Sequence, residues 1–190
     1  MKKLSLVIFS IFLFIGFAVN ASALQFTLDS YDVQLRDQDP GLVLYWDPIL
    51  TTPTSKNFEV GDSYSFSLFK VGTLENSVGF LDPDLNKYDI KVSFSFSSPD
   101  VDGSASGQSY GRWITDKGYV EWDGPAYFQF GGTGLFSIAL SDVSFGTPGW
   151  ANVCATLDYK SAPVPEPATM LLLGLGLVGL AGFGRKKFNS

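Results

Sequence analysis

The chain contains no histidine, which removes the general base of a Ser-His-Asp triad and the usual nitrogen ligand of zinc. Two-carboxylate glycosidase chemistry remains open in composition, because Glu59, Glu75 and Glu121 accompany many aspartates. That mechanism needs carboxyls at defined separations across a cleft. With no spacing that implies such a pair, these glutamates read as solvated surface charges and the protein as a non-enzyme. Asp82, Asp84 and Asn86 repeat the first three ligand positions of a calcium loop, with Asp89 close behind. Lys87 stands where an EF-hand requires glycine, and Ser93 where it requires its bidentate glutamate, so an EF-hand is excluded. A less regular site using Asp82 and Asp84 with Asp100 or Asp102 is the alternative to plain Asp-Pro turn chemistry. No cofactor is expected.

Trp46, Trp113, Trp122 and Trp150 pose a second question, because aromatic faces stack on the apolar faces of sugars. Aromatics at alternating strand positions are more often core. Trp150 follows Thr147-Pro148-Gly149 and is expected at a loop, which makes it the candidate ligand-binding residue. Cys154 is the single cysteine. With no histidine to activate it, a catalytic role is not expected. Alternation over 151–159 places Val153, Ala155, Leu157 and Tyr159 on one face, and Cys154 with Asn152, Thr156 and Asp158 on the other. An unmodified thiol against its neighbours, or an intermolecular disulfide, fits that position.

The elements that would carry these residues read as strands. Tyr64, Phe66 and Leu68 alternate with Ser63, Ser65 and Ser67, and Val92, Phe94 and Phe96 with Ser93 and Ser95; period two is the mark of a half-buried strand. Further strands are expected at 25–28, 31–36, 42–46, 127–130 and 135–140. Segments 113–115 and 119–122 flank Asp116-Lys117-Gly118 as a hairpin, with Gly118 in the left-handed position. Asp39-Pro40-Gly41, Asp82-Pro83-Asp84, Asp123-Gly124-Pro125 and Pro148-Gly149 supply turns at sandwich spacing. The expected fold is an all-β, antiparallel β-sandwich, jelly-roll-like. Pro53-Thr54-Ser55 and the small polar tract 102–109 are expected to be loops, the second of them mobile.

Five of the thirteen Lys and Arg and one of the nineteen Asp and Glu lie in the terminal segments, which leaves eight cations against eighteen anions between them, a net charge of −10. Such a surface repels phosphate backbones, so no nucleic-acid partner is expected.

The two ends read as addresses. Lys2 and Lys3 precede an apolar run from Leu4 to Val19, and Ala21-Ser22-Ala23 supplies the small-x-small site of a secretory signal peptide over 1–23. A β-sandwich domain occupies 24–162. At 163–190 come Pro165-Glu166-Pro167, an apolar segment 168–184 and the basic residues Arg185, Lys186 and Lys187. Cations after an apolar segment stay on the cytoplasmic side and stop its transfer. A helix over 168–184 would rise about 25 Å against a hydrocarbon core of ~30 Å, short for a lasting anchor. Gly174, Gly176 and Gly179 spell a dinucleotide-binding fingerprint, but no strand, βαβ unit or later acidic residue accompanies them.

Pro-Glu-Pro, a short apolar segment and a basic end, in that order, resemble the PEP-CTERM sorting signal of Gram-negative bacteria. The resemblance covers only the C-terminal segment. It implies recognition and processing by an exosortase, a membrane-embedded cysteine transpeptidase, after export through the secretion machinery. The inner membrane would hold the precursor transiently. By the same resemblance the product is expected at the cell surface or outside the cell, with a structural or adhesive role linked to exopolysaccharide and biofilm. The alternatives are a permanent single-pass anchor for the tail and a secreted carbohydrate-binding module for the domain, with extracellular polysaccharide as partner.

Overall fold

The structure, a computed structural model, describes residues 23–35, 41–80, 83–164 and 173–179. Their strands are β1 (Leu24–Gln34), β2 (Tyr45–Pro48), β3 (Thr54–Phe58), β4 (Ser63–Thr73), β5 (Tyr88–Ser98), β6 (Asp100–Arg112), β7 (Lys117–Trp122), β8 (Ala126–Phe130), β9 (Gly134–Leu140), β10 (Val143–Gly146) and β11 (Gly149–Ser161), with a 3₁₀ turn at Pro83–Leu85. They form two antiparallel curled sheets packed together, one of order β10-β7-β6-β5-β1-β3 and one of order β2-β4-β11-β9-β8. The two-sheet, all-β architecture follows the expectation from alternation. Strand number and order depart from an eight-stranded jelly roll, because β5, β6 and β7 run as a meander within one sheet.

Inward residues of both sheets meet in an aromatic core. Phe128 and Phe136 stack with ring centroids 4.7 Å apart, and Phe26 meets Phe58, Phe136 and Tyr159 edge-on at 5.0–5.1 Å. Edge-on and offset pairs like these add about 0.5–1.5 kcal/mol each beyond area burial. Val92, Phe94 and Phe96 are buried as the period predicts, and so are Val153, Ala155, Leu157 and Tyr159. In β4 the pattern breaks. The register shifts between Val153 and Cys154, opposite Phe69 and Ser67, so that Leu68, Phe69 and Val71 are all fully buried while Tyr64 stays 41% exposed.

Several local expectations are corrected. The tract 102–109 is not a mobile loop but the middle of β6, paired with β5 along its length. Its glycines leave room for other strands: a Cβ at Gly103 would overlap the Phe128 ring from the facing sheet, and one at Gly107 would strike β7 beside Trp122. Thr54 and Ser55 belong to β3, where they pair with Leu28 and Thr27. Leu42 and Leu44 are buried but precede β2, which begins only at Tyr45. The β6–β7 hairpin exists, yet Trp113 to Asp116 form its turn and Asp116, with φ of 49°, takes the left-handed position. Gly118 lies inside β7, where its missing side chain admits Phe145 and Leu42.

Candidate functional site

β11 runs the length of the sandwich, thirteen residues or about 40 Å at ~3.4 Å per residue. Its two ends define two poles. At the C-terminal pole, Ser161 Oγ donates to the Thr133 carbonyl at 2.9 Å and the Val164 N–H donates to Thr133 Oγ1 at 2.8 Å. Pro163 lies against Gly131. The β8–β9 turn therefore grips the chain up to the residue before Pro165. β1 starts at the same pole, since Leu24 pairs with Phe58 and the Phe26 ring meets Tyr159. Both terminal segments thus leave from one end of the domain. Of the sequence-derived signal residues, Ala23 is exposed at the foot of β1, while Ala21, Pro165, Glu166, Pro167, Arg185, Lys186 and Lys187 lie outside the described residues. Residues 173–179 are helical and exposed. No helix among the described residues is long and apolar enough to cross a membrane.

The opposite pole is tied together by Asp116. Its Oδ1 accepts the Val78 N–H at 2.8 Å and the Thr147 hydroxyl at 2.8 Å, so the β6–β7 turn, the segment after β4 and the β10–β11 turn meet on one carboxylate. Around this hub lie large apolar side chains that folding leaves uncovered. Trp113, Phe80 and Ile114 are 46%, 64% and 79% exposed, and Trp113 meets Phe80 edge-on at 4.9 Å. A hollow of about 490 Å³ runs beside them, lined by Leu85, Lys87, Tyr110, Arg112, Trp113 and Thr115 among others.

Tyr110, Arg112 and Lys87 of the hollow's lining belong to a polar stack. Tyr110 and Tyr119 lie parallel with centroids 5.5 Å apart, and the Arg112 guanidinium sits 4.9 Å from the Tyr119 ring centre. The Tyr110 hydroxyl donates to Glu121 Oε1 at 2.7 Å, and Lys87 Nζ stands 3.5 Å from Glu121 Oε2. The phenol's hydrogen bond, assisted by the Lys87 and Arg112 charges, holds the Glu121 carboxyl below the usual glutamate range. Burial, and then the neighbouring carboxylate, push the Tyr110 hydroxyl up.

Trp150 lies on the outer face of the other sheet at the same pole. It is the second residue of β11 rather than part of a loop, and is 42% exposed. Gly72 pairs with it on one side and with Tyr45 on the other, and a Cβ at Gly72 would strike the indole. Lys70 Nζ stands 5.1 Å from the Trp150 ring centre and 3.0 Å from Asp47 Oδ2. Trp46 and Trp122 instead pack against the core, and Trp122 Nε1 donates to the Ser141 carbonyl at 3.2 Å. Sequence reasoning gave Trp113 no special place, since its position before a hairpin turn looks like strand.

The acidic candidates are dispersed. Asp82 lies outside the described residues, Asp84 is buried in the 3₁₀ turn, and Asn86 is exposed. The Asp84 backbone approaches Gly111 at one end of β6, whereas Asp102 and Asp100 sit about 30 Å further along that strand at ~3.3 Å per residue. The structure does not bring them together. Among the described residues no group of three or more acidic or cysteine side chains is close enough to hold a metal ion. Glu75 is used locally, accepting the Val43 N–H at 2.7 Å. Cys154 is half-buried, with its sulfur 3.8 Å from Ser67 Oγ.

Residues 163–186 match the PEP-CTERM protein-sorting motif. No curated protein and no solved structure matches the chain. The motif implies an exported protein that an exosortase processes and that is associated with the membrane or surface. Its first two residues, Pro163 and Val164, are the ones that the β8–β9 turn grips.

Proposed function

We propose that this chain, which carries a PEP-CTERM sorting motif at its C-terminus, is a non-enzymatic surface or matrix protein. Residues 1–23 direct export, 168–184 hold the precursor in the inner membrane, and processing at Pro165-Glu166-Pro167 releases the sandwich to the surface or the medium. The sandwich then has a structural or adhesive role in an exopolysaccharide matrix or biofilm. The position of the motif carries this reading: it starts within two residues of the end of β11, so the address follows directly on the folded module in the chain. Replacing Glu166 by Ala tests it. Membrane-held precursor should accumulate if the motif is read, whereas a permanent anchor would be indifferent to the change.

A second reading has its own support, a carbohydrate-binding module. The exposed Trp150 and Tyr45 flank Gly72 on one sheet, and Trp113 in the β6–β7 turn and Phe80 in the segment after β4 stand uncovered beside it. Rigid aromatic faces of this kind suit the apolar faces of sugars. Glycan-array binding that falls on Trp150→Ala supports it, and failure to bind any polysaccharide counts against it.

A further inference from the structure

We infer that the hollow beside Trp113 binds a carboxylate-bearing sugar unit of an acidic polysaccharide, with Arg112, which lines the hollow, and Lys117, its partner across the strand pair beside it, reading the carboxylate and Trp113 packing on the ring. The inference rests on the carbohydrate-binding reading and names the class of sugar.

Arg112 and Lys117 are direct partners across the β6–β7 ladder, so they share a face. Like charges in that relation repel and destabilise a sheet. Both are exposed, and among the described residues neither forms an ion pair, although the domain has eighteen anions for eight cations. The nearby Glu121 accepts the Tyr110 hydroxyl and stands 3.5 Å from Lys87, so its charge is shared among Lys87, Arg112 and the phenol and does not pair with Arg112 alone. An anion bound between the two cations relieves their repulsion. Arg112 is also held in place over the Tyr119 and Tyr110 rings, and a planar guanidinium fixed in this way suits bidentate recognition of a carboxylate.

The aromatic wall selects a ring-bearing ligand over a bare anion. Trp113 is fixed edge-on by Phe80 and opens onto the hollow that Arg112 also lines. At about 490 Å³ the hollow is within the range of small-ligand sites, roughly 300–1,000 Å³. The net charge of −10 over the domain disfavours extended polyanion tracks such as nucleic acid, which need a basic surface rather than two cations. An acidic polysaccharide can place a single carboxylate at the pair and leave the rest of its chain in solvent.

Titration calorimetry of the secreted protein with a galacturonate oligosaccharide, an equally long neutral glucan and inorganic phosphate tests this. The uronate should bind, with the neutral glucan and phosphate at least about tenfold weaker. Lys117→Gln, Arg112→Gln and Trp113→Ala should each weaken the uronate about tenfold or more, as loss of a charged hydrogen bond or an aromatic contact implies. Lys117 is exposed, so its variant reports on binding even if Arg112→Gln disturbs the tyrosine stack. Uronate binding that survives Lys117→Gln and Trp113→Ala overturns the inference, as does equal binding of phosphate. Neutral glucan bound through Trp150 with the uronate ignored overturns it but leaves the broader reading standing. No binding of either polymer sinks both.

Discussion

The Asp116 carboxylate accepts the N–H of Val78, 38 positions away in the chain, at 2.8 Å. The same oxygen takes the Thr147 hydroxyl, so one side chain organises the aromatic pole. Asp116→Ala leaves the Val78 N–H without its acceptor and puts alanine at a φ of 49°. Together these should cost about 2–4 kcal/mol. Asp116→Asn keeps Oδ1 and tolerates the left-handed backbone, and should cost much less. Urea unfolding of the two variants checks this, and equal stability would remove Asp116 from its central place.

Gly103 and Phe128 form the second coupled pair. Gly103→Ala drives a methyl into the Phe128 ring and should destabilise by about 1–3 kcal/mol. Gly146→Ala meets only the Pro148 carbonyl at 3.5 Å and should stay within ~0.5 kcal/mol of the parent. Adding Phe128→Leu to Gly103→Ala should give a non-additive total, as touching residues do. Additivity within error would show that the ring does not occupy that space.

How β6 escaped notice follows from the same contact. A strand is legible when its own side chains alternate, as Val92, Phe94 and Phe96 do, but Gly103, Ala105 and Gly107 show almost nothing inward. Their apolar cover comes from Phe128 and Trp122 on other strands, a relation invisible to any local window. The sorting motif was legible because its parts are contiguous. The hollow was not, since Leu85 and Lys87 before β5 and Tyr110 and Arg112 at the end of β6 line it together, and only the pairing of β5 with β6 brings those stretches side by side. The acidic candidates failed to assemble for the converse reason: proximity along the chain between Asp84 and Asp102 becomes separation along one extended strand.

Titration should show at both ends of the pH scale. Burial raises the hydroxyl pKa of Tyr31, Tyr110 and Tyr159 above the usual value of 10.0. The protonated phenol is thus the form that the fold favours, so the stabilisation is complete below pH ~10 and is lost as pH rises through the raised values. Glu121 is depressed, by the Tyr110 hydrogen bond first. Its contribution is present above the usual glutamate pKa of about 4.3 and lost as pH falls through the folded value. At 45% side-chain exposure that contribution is small. Thermal melts across pH, with phenolate absorbance, check both: alkaline unfolding should track phenolate formation, and free-solution titration of all the tyrosines in the native state would contradict it.

Thr133 holds the root of the sorting segment through the Val164 N–H. Thr133→Val removes the acceptor oxygen and keeps the shape, so hydrogen exchange at the Val164 amide should accelerate while core strands stay protected. Thr133→Ser should restore the parent rate. Unchanged exchange in Thr133→Val would show that the turn does not grip the linker.

The central claim is that the tail directs the sandwich outward and is then processed. Intact-mass spectrometry of the protein recovered from the medium or cell surface tests it most directly. The mature chain should begin at or near Leu24, lack the apolar segment 168–184 and the basic residues Arg185 to Lys187, and be depleted when Glu166 is changed to Ala. Secreted protein carrying an unbroken C-terminus through Ser190 would contradict the account.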